Sequence, residues 1–161
     1  MAHKGTLVES AACNGDLQYI KDAITTEEDM GYALHWASFK GHVEICRVLL
    51  EHDPTLLSLV CDGNRNIGFD IIYGDELAIH RASNVEIVKM MVTLDPEIIH
   101  VRGYFGRLPI HNAVLWNWIS VVSYYLKICP SLASEKDENG RTPLHYAISY
   151  NHLHTTFAFQ A

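Results

Sequence analysis

The sequence lacks two features that mark large classes of protein: long apolar runs and an excess of basic residues. No apolar run approaches the roughly 20 residues needed to cross a membrane, and the start, MAHKGTLVES, lacks the apolar core of a signal peptide. The formal net charge is −7, from 12 Lys and Arg against 19 Asp and Glu. Because duplex nucleic acid is bound through many cationic contacts to phosphates, we expect the protein not to bind nucleic acid. The missing apolar segments predict a protein that does not bind membranes and is located in the cytoplasm, with the nucleus as the alternative.

Motifs for catalysis and metal binding are also missing. The sequence has no G-x-S-x-G, no P-loop, no G-x-G-x-x-G and no H-E-x-x-H. The four cysteines show no paired close spacing, which favours small buried side chains in a reducing compartment over a disulfide framework: Cys13, Cys46, Cys61 and Cys129. A group of carboxylates lacks the spacing of an EF-hand loop and predicts a solvated acidic loop: Asp62, Asp70, Asp75 and Glu76. We expect no catalytic residue, no metal and no cofactor.

The chain does contain a clear local pattern, the stretch GRTPLHYA at residues 140–147. Gly140 suits a tight turn with positive φ. Thr142 suits a helix N-cap whose hydroxyl accepts an amide proton, and Pro143 then occupies the first helical position, where its missing N–H costs nothing. The stretch therefore predicts a turn, a cap and a helix.

This pattern recurs along the chain. YALHWA, LAIHRA and LPIHNA place a histidine two residues before an alanine, so that the recurring histidines are His35, His80, His111 and His145. A second helical pattern recurs as VEICRVLLEHDP, VEIVKMMVTLDP and ISVVSYYLKICP, each ending at a proline that a helix cannot continue through. A period in the low thirties built on T-P-L-H-x-A is the ankyrin signature.

The sequence therefore resembles the ankyrin-repeat family over nearly the whole chain, most specifically at DENGRTPLHYA. The resemblance implies an all-α solenoid of stacked helix pairs with β-hairpin fingers, in a single domain over residues 1–161. We place an atypical N-terminal cap at 1–30, repeats at about 31–74, 75–105 and 106–139, and a partial repeat at 140–161. This last unit is either a frayed or truncated cap, or the chain continues beyond it.

Departures from the family pattern carry their own predictions. The Thr cap is retained at Thr142, whereas Tyr32, Leu77 and Leu108 take its place elsewhere. Because a lost cap costs about 1 kcal/mol, we expect weaker middle repeats. The stretch RASNVEI is three residues shorter than WASFKGHVEI, which predicts a shortened turn between the helices of that repeat.

An insert of 11 residues lies within residues 60–76. Its alternating apolar residues, Ile67, Phe69 and Ile71, indicate a strand, and Asp62-Gly63 is a hairpin-turn signal. We interpret the insert as an enlarged β-finger, with a flexible surface insertion as the alternative.

The resemblance also implies roles for individual residues. The recurring histidines are structural in this family, their rings bonding nearby backbone. Partner contacts come mainly from the finger tips and from the end of the first helix, on the concave face. Mapped onto this sequence, those positions predict partner-binding residues: Phe39, Lys40, Tyr104, Phe105, Arg107, Leu115, Trp116, Arg141 and Tyr150. The alternative is that Trp116 and Phe105 only pack on neighbouring repeats.

Together these observations predict a non-catalytic, monomeric protein–protein interaction module or scaffold whose partner the sequence does not identify. One alternative is a regulatory ankyrin segment of a larger enzyme or channel subunit. A less favoured alternative is an enzyme that uses the 60–76 insert, which the missing nucleophile–base pair and metal-ligand set oppose.

Overall fold

In the computed structural model, helices come in pairs that stack along one axis. The structure describes residues 4–26, 30, 32–61, 66–67, 70–71 and 75–160. The α-helices of this part of the chain are α1 (Lys4–Asn14), α2 (Leu17–Thr25), α3 (Ala33–Lys40), α4 (Val43–His52), α5 (Val85–Leu94), α6 (Pro109–Leu115), α7 (Ile119–Ile128), α8 (Pro143–Ser149) and α9 (Leu153–Ala158). Single 3₁₀ turns lie at Pro54–Ser58, Ala78–Arg81, Pro96–His100, Tyr104–Gly106 and Pro130–Ser134. None of the helices in the described ranges is long and apolar enough to cross a membrane.

We number the stacked units by their helix pairs. The first unit is α1 and α2, the second is α3 and α4, and the fourth and fifth are α6 with α7 and α8 with α9. The third unit is the 3₁₀ turn Ala78–Arg81 followed by α5. In each unit the first segment is called the first helix and the later one the second helix.

The turns inside four of the units depend on residues that tolerate a left-handed backbone. These are Gly15, Gly41, Asn117 and Asn151, with φ between +56° and +80°. Glycine adopts this conformation without a steric penalty, and asparagine is among the side chains that tolerate it best. At Gly15 a Cβ would also lie 2.8 Å from the His42 ring, so that packing reinforces the backbone requirement.

The second helices end where the sequence predicts. Helices α4, α5 and α7 each stop two residues before a proline, which then begins a 3₁₀ turn. The intervening Asp53 and Asp95 carboxylates accept the backbone N–H of Thr55 at 2.9 Å and of Glu97 at 3.0 Å. The 3₁₀ turns after α4 and α5 are therefore capped by a side chain, whereas the turn after α7 begins at Cys129 without one.

The apolar core runs between the units along the stack. The Leu-His-x-Ala pattern places its apolar residues there, with Leu34, Ile79 and Ile110 almost fully buried. First helices pack against their neighbours more closely than second helices do. This closer packing is what the predicted position of the first helices on the concave side of the solenoid requires.

The third unit departs from the prediction. The three missing residues were expected to shorten the turn between its helices, but they are lost from the first helix instead. That helix is a single 3₁₀ turn, Ala78–Arg81, and α5 begins only after an extended segment at 82–84. Ser83 fixes this segment, since its backbone N–H and its hydroxyl both donate to the Ser38 carbonyl at 3.1 Å.

The insert forms two short antiparallel strands, β1 (Asn66–Ile67) and β2 (Asp70–Ile71). Asn66 pairs with Ile71, and Ile67 pairs with Asp70. This pairing agrees with the interpretation of the insert as a β-finger. Asp62-Gly63 and Phe69, on which that interpretation also depends, lie outside the described residues.

Candidate partner-binding surface

The recurring histidines connect successive units through the backbone. The Nε2 atom of His35 lies 3.0 Å from the Glu76 carbonyl, and that of His80 lies 3.1 Å from the Val101 carbonyl. Nε2 of His111 lies 3.2 Å from the carbonyls of both Glu135 and Arg141. These contacts join the first helices of the second, third and fourth units to the chain of the following unit.

The other ring nitrogen satisfies the start of the helix. Nδ1 of His80 accepts the Leu77 N–H, and Nδ1 of His111 accepts the Leu108 N–H, each at 3.1 Å. Since Nδ1 accepts, Nε2 carries the proton and donates to the carbonyls of the next unit. Burial lowers the pKa of His35 and His80 to about 4 and also lowers the pKa of His111, so these rings are neutral near pH 7.

His145 repeats only half of this arrangement. Its Nδ1 accepts the Thr142 N–H at 3.0 Å, and the Thr142 hydroxyl lies 2.7 Å from the same nitrogen. The ring is exposed, unlike the buried His35, His80 and His111. It was predicted to play the same structural part as the other three, and its environment differs because the structure describes no further helix pair stacked on the fifth unit.

The leucines that replace the Thr cap are buried. Leu108 is 1% exposed and Leu77 is 7% exposed. Burying a leucine contributes about 1.5–3 kcal/mol, whereas a lost cap costs about 1 kcal/mol. At these positions the burial of leucine opposes the loss of the hydroxyl, and the expectation of weaker middle repeats stays a prediction.

A buried polar cluster joins the third and fourth units. Arg81 Nε lies 3.1 Å from Glu76 Oε2, both side chains being at most 3% exposed, and Asn112 donates to Glu76 Oε1 at 2.7 Å. Burial raises the pKa of the Glu76 carboxyl, and the Arg81 guanidinium opposes that shift. The prediction of a solvated acidic loop is wrong for Glu76, whose carboxylate is buried between Arg81 and Asn112.

The other members of that acidic group do not join Glu76 in a metal site. Asp75 is exposed, and the side chains of Asp62 and Asp70 lie outside the described residues. Within the described ranges, no three His, Cys, Asp or Glu side chains are grouped so that they could hold a metal ion.

Three aromatic side chains meet across the shortened first helix of the third unit. We call Phe39, Trp116 and Trp118 the aromatic cluster. The Phe39 ring lies edge-on to Trp116 at 5.2 Å and to Trp118 at 6.0 Å between centroids, and the two tryptophans are stacked at 6.2 Å. Phe39 lies in the last turn of α3 in the second unit, whereas the tryptophans flank the turn of the fourth. The second and fourth units therefore touch where the third unit lacks a helix end.

The aromatic cluster is open to solvent on one side and flanked by cations. Trp116 is 42% exposed, while Phe39 and Trp118 are half-buried. The Lys40 ammonium and the Arg81 guanidinium lie 5.1 Å and 5.7 Å from the Phe39 ring centroid, within the range of cation–π attraction. Trp116 thus packs on a residue of the second unit, two units away, and also offers an accessible face.

The finger at residues 103–107 presents a second aromatic pair. The Tyr104 and Phe105 rings are 4.1 Å apart, and Phe105 is 45% exposed. Phe105 has φ of +57°, a region that a bulky side chain rarely adopts and that costs on the order of 1–3 kcal/mol. The Arg107 guanidinium lies 5.5 Å from the Phe105 ring centroid. A strained, exposed aromatic side chain is therefore held at the finger tip.

Arg107 and Arg102 tie this finger to the next one, at residues 135–141. Arg107 Nε donates to the Tyr146 hydroxyl at 3.0 Å, and that hydroxyl donates to Asp137 Oδ2 at 2.6 Å. Arg102 bonds the Glu135 carboxylate at 2.9 Å and the Lys136 carbonyl at 2.7 Å. The two fingers consequently form one connected surface.

The predicted partner-binding residues divide into these groups. Phe39, Lys40 and Trp116 meet at the aromatic cluster, and Tyr104, Phe105, Arg107 and Arg141 lie on the fingers. Leu115 is half-buried against the core. Tyr150 is 55% exposed and stacks on Tyr146 with centroids 6.5 Å apart. The prediction left out Trp118 and Arg81, which complete the surroundings of Phe39.

Comparison with known protein families agrees with this architecture. Family models for ankyrin repeats match residues 76–156, as three copies, and residues 32–59, as a single repeat. The chain belongs to the ankyrin-repeat family, which confirms the resemblance and the predicted all-α repeat solenoid. Ankyrin repeats are in general protein–protein interaction modules. The boundaries given for the individual repeats remain a prediction.

Proposed function

We propose that this chain is a non-catalytic module that binds a partner protein on its concave side, through the aromatic cluster and the two fingers. The observation that carries the proposal is the partly exposed Trp116, supported from below by Phe39 and Trp118. Tryptophan, tyrosine and arginine dominate the binding energy of protein interfaces. A tryptophan fixed by its neighbours also loses little conformational freedom when a partner covers it.

The histidine contacts support a role without catalysis. In His80 and His111 one ring nitrogen accepts a backbone N–H and the other faces a backbone carbonyl. General acid–base catalysis requires a ring nitrogen within reach of a substrate proton. Both nitrogens of these rings are instead hydrogen-bonded to the protein backbone, as a structural role requires.

Affinity capture with point variants tests the proposal. Immobilised wild-type chain and the Trp116→Ala variant are exposed to the same lysate, and bound proteins are quantified by mass spectrometry. We expect Trp116→Ala to cost about 2 kcal/mol or more in affinity for the specific partner. Its free energy of unfolding should change by less than about 1 kcal/mol, since the indole is already partly in water.

Leu94→Ala is the matched control. Leu94 is 50% exposed and ends the second helix α5, away from the aromatic cluster. Proteins captured by wild type should be retained by Leu94→Ala and lost by Trp116→Ala and Phe105→Ala. The reverse pattern would place the binding surface on the second helices and contradict the proposal.

A further inference from the structure

Charge is distributed unevenly along the solenoid. Residues 1–97 contain 7 Lys and Arg against 16 Asp and Glu, a net charge of −9, whereas residues 98–161 contain 5 against 3, a net charge of +2. No carboxylate side chain occurs between Glu97 and Glu135 or after Glu138. The fingers, Trp116 and most of the proposed surface belong to this positively charged part.

The carboxylates of the positive part are largely engaged by the protein itself. Glu135 is bound by Arg102 at 2.9 Å. Asp137 is 6% exposed and accepts the Tyr146 hydroxyl and the backbone N–H groups of Asn139 and Arg141 at 2.6–2.9 Å. Glu138 is exposed. Two of the three negative charges are therefore turned inward or neutralised.

Two cations of the second finger are exposed. Lys136 and Arg141 are exposed, and the Arg141 guanidinium lies 6.0 Å from the Tyr146 ring centroid. Arg107 is half-buried, and the exposed Lys40 lies beside Phe39 of the aromatic cluster. The proposed partner-binding residues thus include three cations and no carboxylate.

Resting on the proposed function, we infer that the partner element bound here is an acidic segment of a protein, with apolar side chains that cover Trp116 and Phe105. Complementary charge accelerates association and suppresses wrong partners. The net charge of −9 on residues 1–97 repels the same segment, so its carboxylates lie over the fingers of the fourth and fifth units. Nucleic acid fits less well, since it needs many free cations to replace its counterions.

Selection of peptides tests the inference without knowledge of the partner. A phage-displayed library of short random peptides is panned on the immobilised full chain, and selected sequences are compared with the unselected library. We expect Asp and Glu to be enriched, together with aromatic or branched apolar residues. Raising NaCl from about 50 to about 500 mM should weaken binding of a labelled selected peptide about tenfold in fluorescence anisotropy.

Arg141→Glu and Lys127→Glu form the matched pair of variants. Both residues are exposed cations of the positive part, but Lys127 lies on the second helix α7. We expect Arg141→Glu to weaken the selected peptides about tenfold or more and Lys127→Glu to change their affinity less than about twofold. Equal effects of the two variants would overturn the inference.

The outcomes separate this inference from the proposed function. Peptides without carboxylate enrichment that bind Arg141→Glu normally but lose binding to Trp116→Ala would overturn the acidic partner and leave the proposed surface intact. Acidic peptides that depend on Arg141 but not on Trp116 would support the acidic partner and contradict the proposed centre. Tighter binding of a labelled single-stranded oligonucleotide than of any selected peptide would overturn the inference in favour of nucleic acid. Failure to enrich any peptide above background would also overturn it.

Discussion

The third and fourth units begin differently and continue alike. The first helix of the fourth unit, α6, has 7 residues, whereas that of the third is a 3₁₀ turn of 4 residues. Both are followed by a second helix of 10 residues. Both also keep the contact from imidazole Nδ1 to the backbone N–H three residues earlier. The histidine contacts therefore survive the loss of nearly half a helix.

Side chains from neighbouring units replace the missing helix end. The Phe39 and Trp116 rings lie 5.2 Å apart between centroids across the third unit. The Arg81 and Glu76 side chains form a buried ion pair in the third unit itself. The comparison shows that a repeat can lose part of its first helix if side chains of other units cover the surface that the helix would have buried. Arg81 of the short helix corresponds to Asn112 of the complete one, and both side chains contact the Glu76 carboxylate.

The largest effect is expected from Arg81→Met, which removes one partner of the buried ion pair. Glu76 would be left as a buried carboxylate bonded to Asn112, so we expect a loss of about 3–5 kcal/mol in the free energy of unfolding. Urea denaturation measures it. Lys89→Met is the control, because the Lys89–Glu86 pair is exposed, and its midpoint should stay close to that of the wild type. Equal midpoints for the two variants would mean that Glu76 reaches solvent.

Leu108→Thr tests whether burial outweighs capping in the fourth unit. The substitution supplies the hydroxyl of the repeat consensus but removes a leucine that is 1% exposed. We expect a loss of about 2–4 kcal/mol, because a cavity and a buried hydroxyl both cost free energy. Thermal denaturation measures it, with the exposed Leu94→Thr as control. A raised melting temperature would show that the cap is worth more than the burial.

The histidines of the short and the complete first helix should both make stability depend on pH. The pKa of His80 is about 4 in the folded state against 6.5 for an ordinary histidine. Between these values the unfolded chain binds more protons, so the free energy of unfolding falls as the pH is lowered. From about pH 7 to about pH 5, His80 alone should account for about 2 kcal/mol. The raised pKa of Glu76 acts in the opposite direction.

His80→Asn isolates this contribution from the rest of the chain. The destabilisation caused by His80→Asn, measured by urea denaturation, should be about 2 kcal/mol smaller at about pH 5 than at about pH 7. At the lower pH the wild type is itself destabilised, because His80 binds a proton in the unfolded chain but stays neutral in the folded one. Leu108→Thr should cost the same at both pH values. Equal costs for His80→Asn at both values would show that the ring is not shielded from water.

The smallest effect concerns the contact that spans the third unit. In a double-mutant cycle, Phe39→Ala and Trp116→Ala should show a coupling energy of about 0.5–1 kcal/mol, the lower part of the range for an edge-to-face aromatic pair. Phe39→Ala combined with Tyr150→Ala is the control and should be additive. Additivity in both cycles would mean that Phe39 and Trp116 do not touch in solution.

Local features could be predicted from the sequence because they depend on a few adjacent residues. The turns at Gly41, Asn117 and Asn151 follow from residues that accept positive φ, and the helix ends follow from Pro54, Pro96 and Pro130. The repeat pattern also predicted the family and the fold class, since each unit carries the same short signature.

Features that join distant units could not be predicted in this way. Glu76 and Asn112 are 36 residues apart in sequence, and the carboxylates near Glu76 favoured a solvated loop. The three missing residues were assigned to the turn, although the bonds from Ser83 to the Ser38 carbonyl hold that segment in place. Phe39 and Trp116 were both predicted to bind a partner, but their contact with each other was not predicted. That contact depends on the shortened first helix of the third unit, and the missing residues had been assigned to the turn instead.

The contact between Phe39 and Trp116 changes how the stack should be treated in statistical mechanics. Repeat arrays are usually described as a one-dimensional chain in which each unit interacts only with its immediate neighbours. Here the second and fourth units interact directly, which adds a next-nearest-neighbour term. If the chain unfolds up to either side of the third unit, the contact between Phe39 and Trp116 is lost together with the contacts between adjacent units. Partial unfolding at the third unit should therefore cost about 0.5–1 kcal/mol more than contacts between adjacent units alone would make it cost.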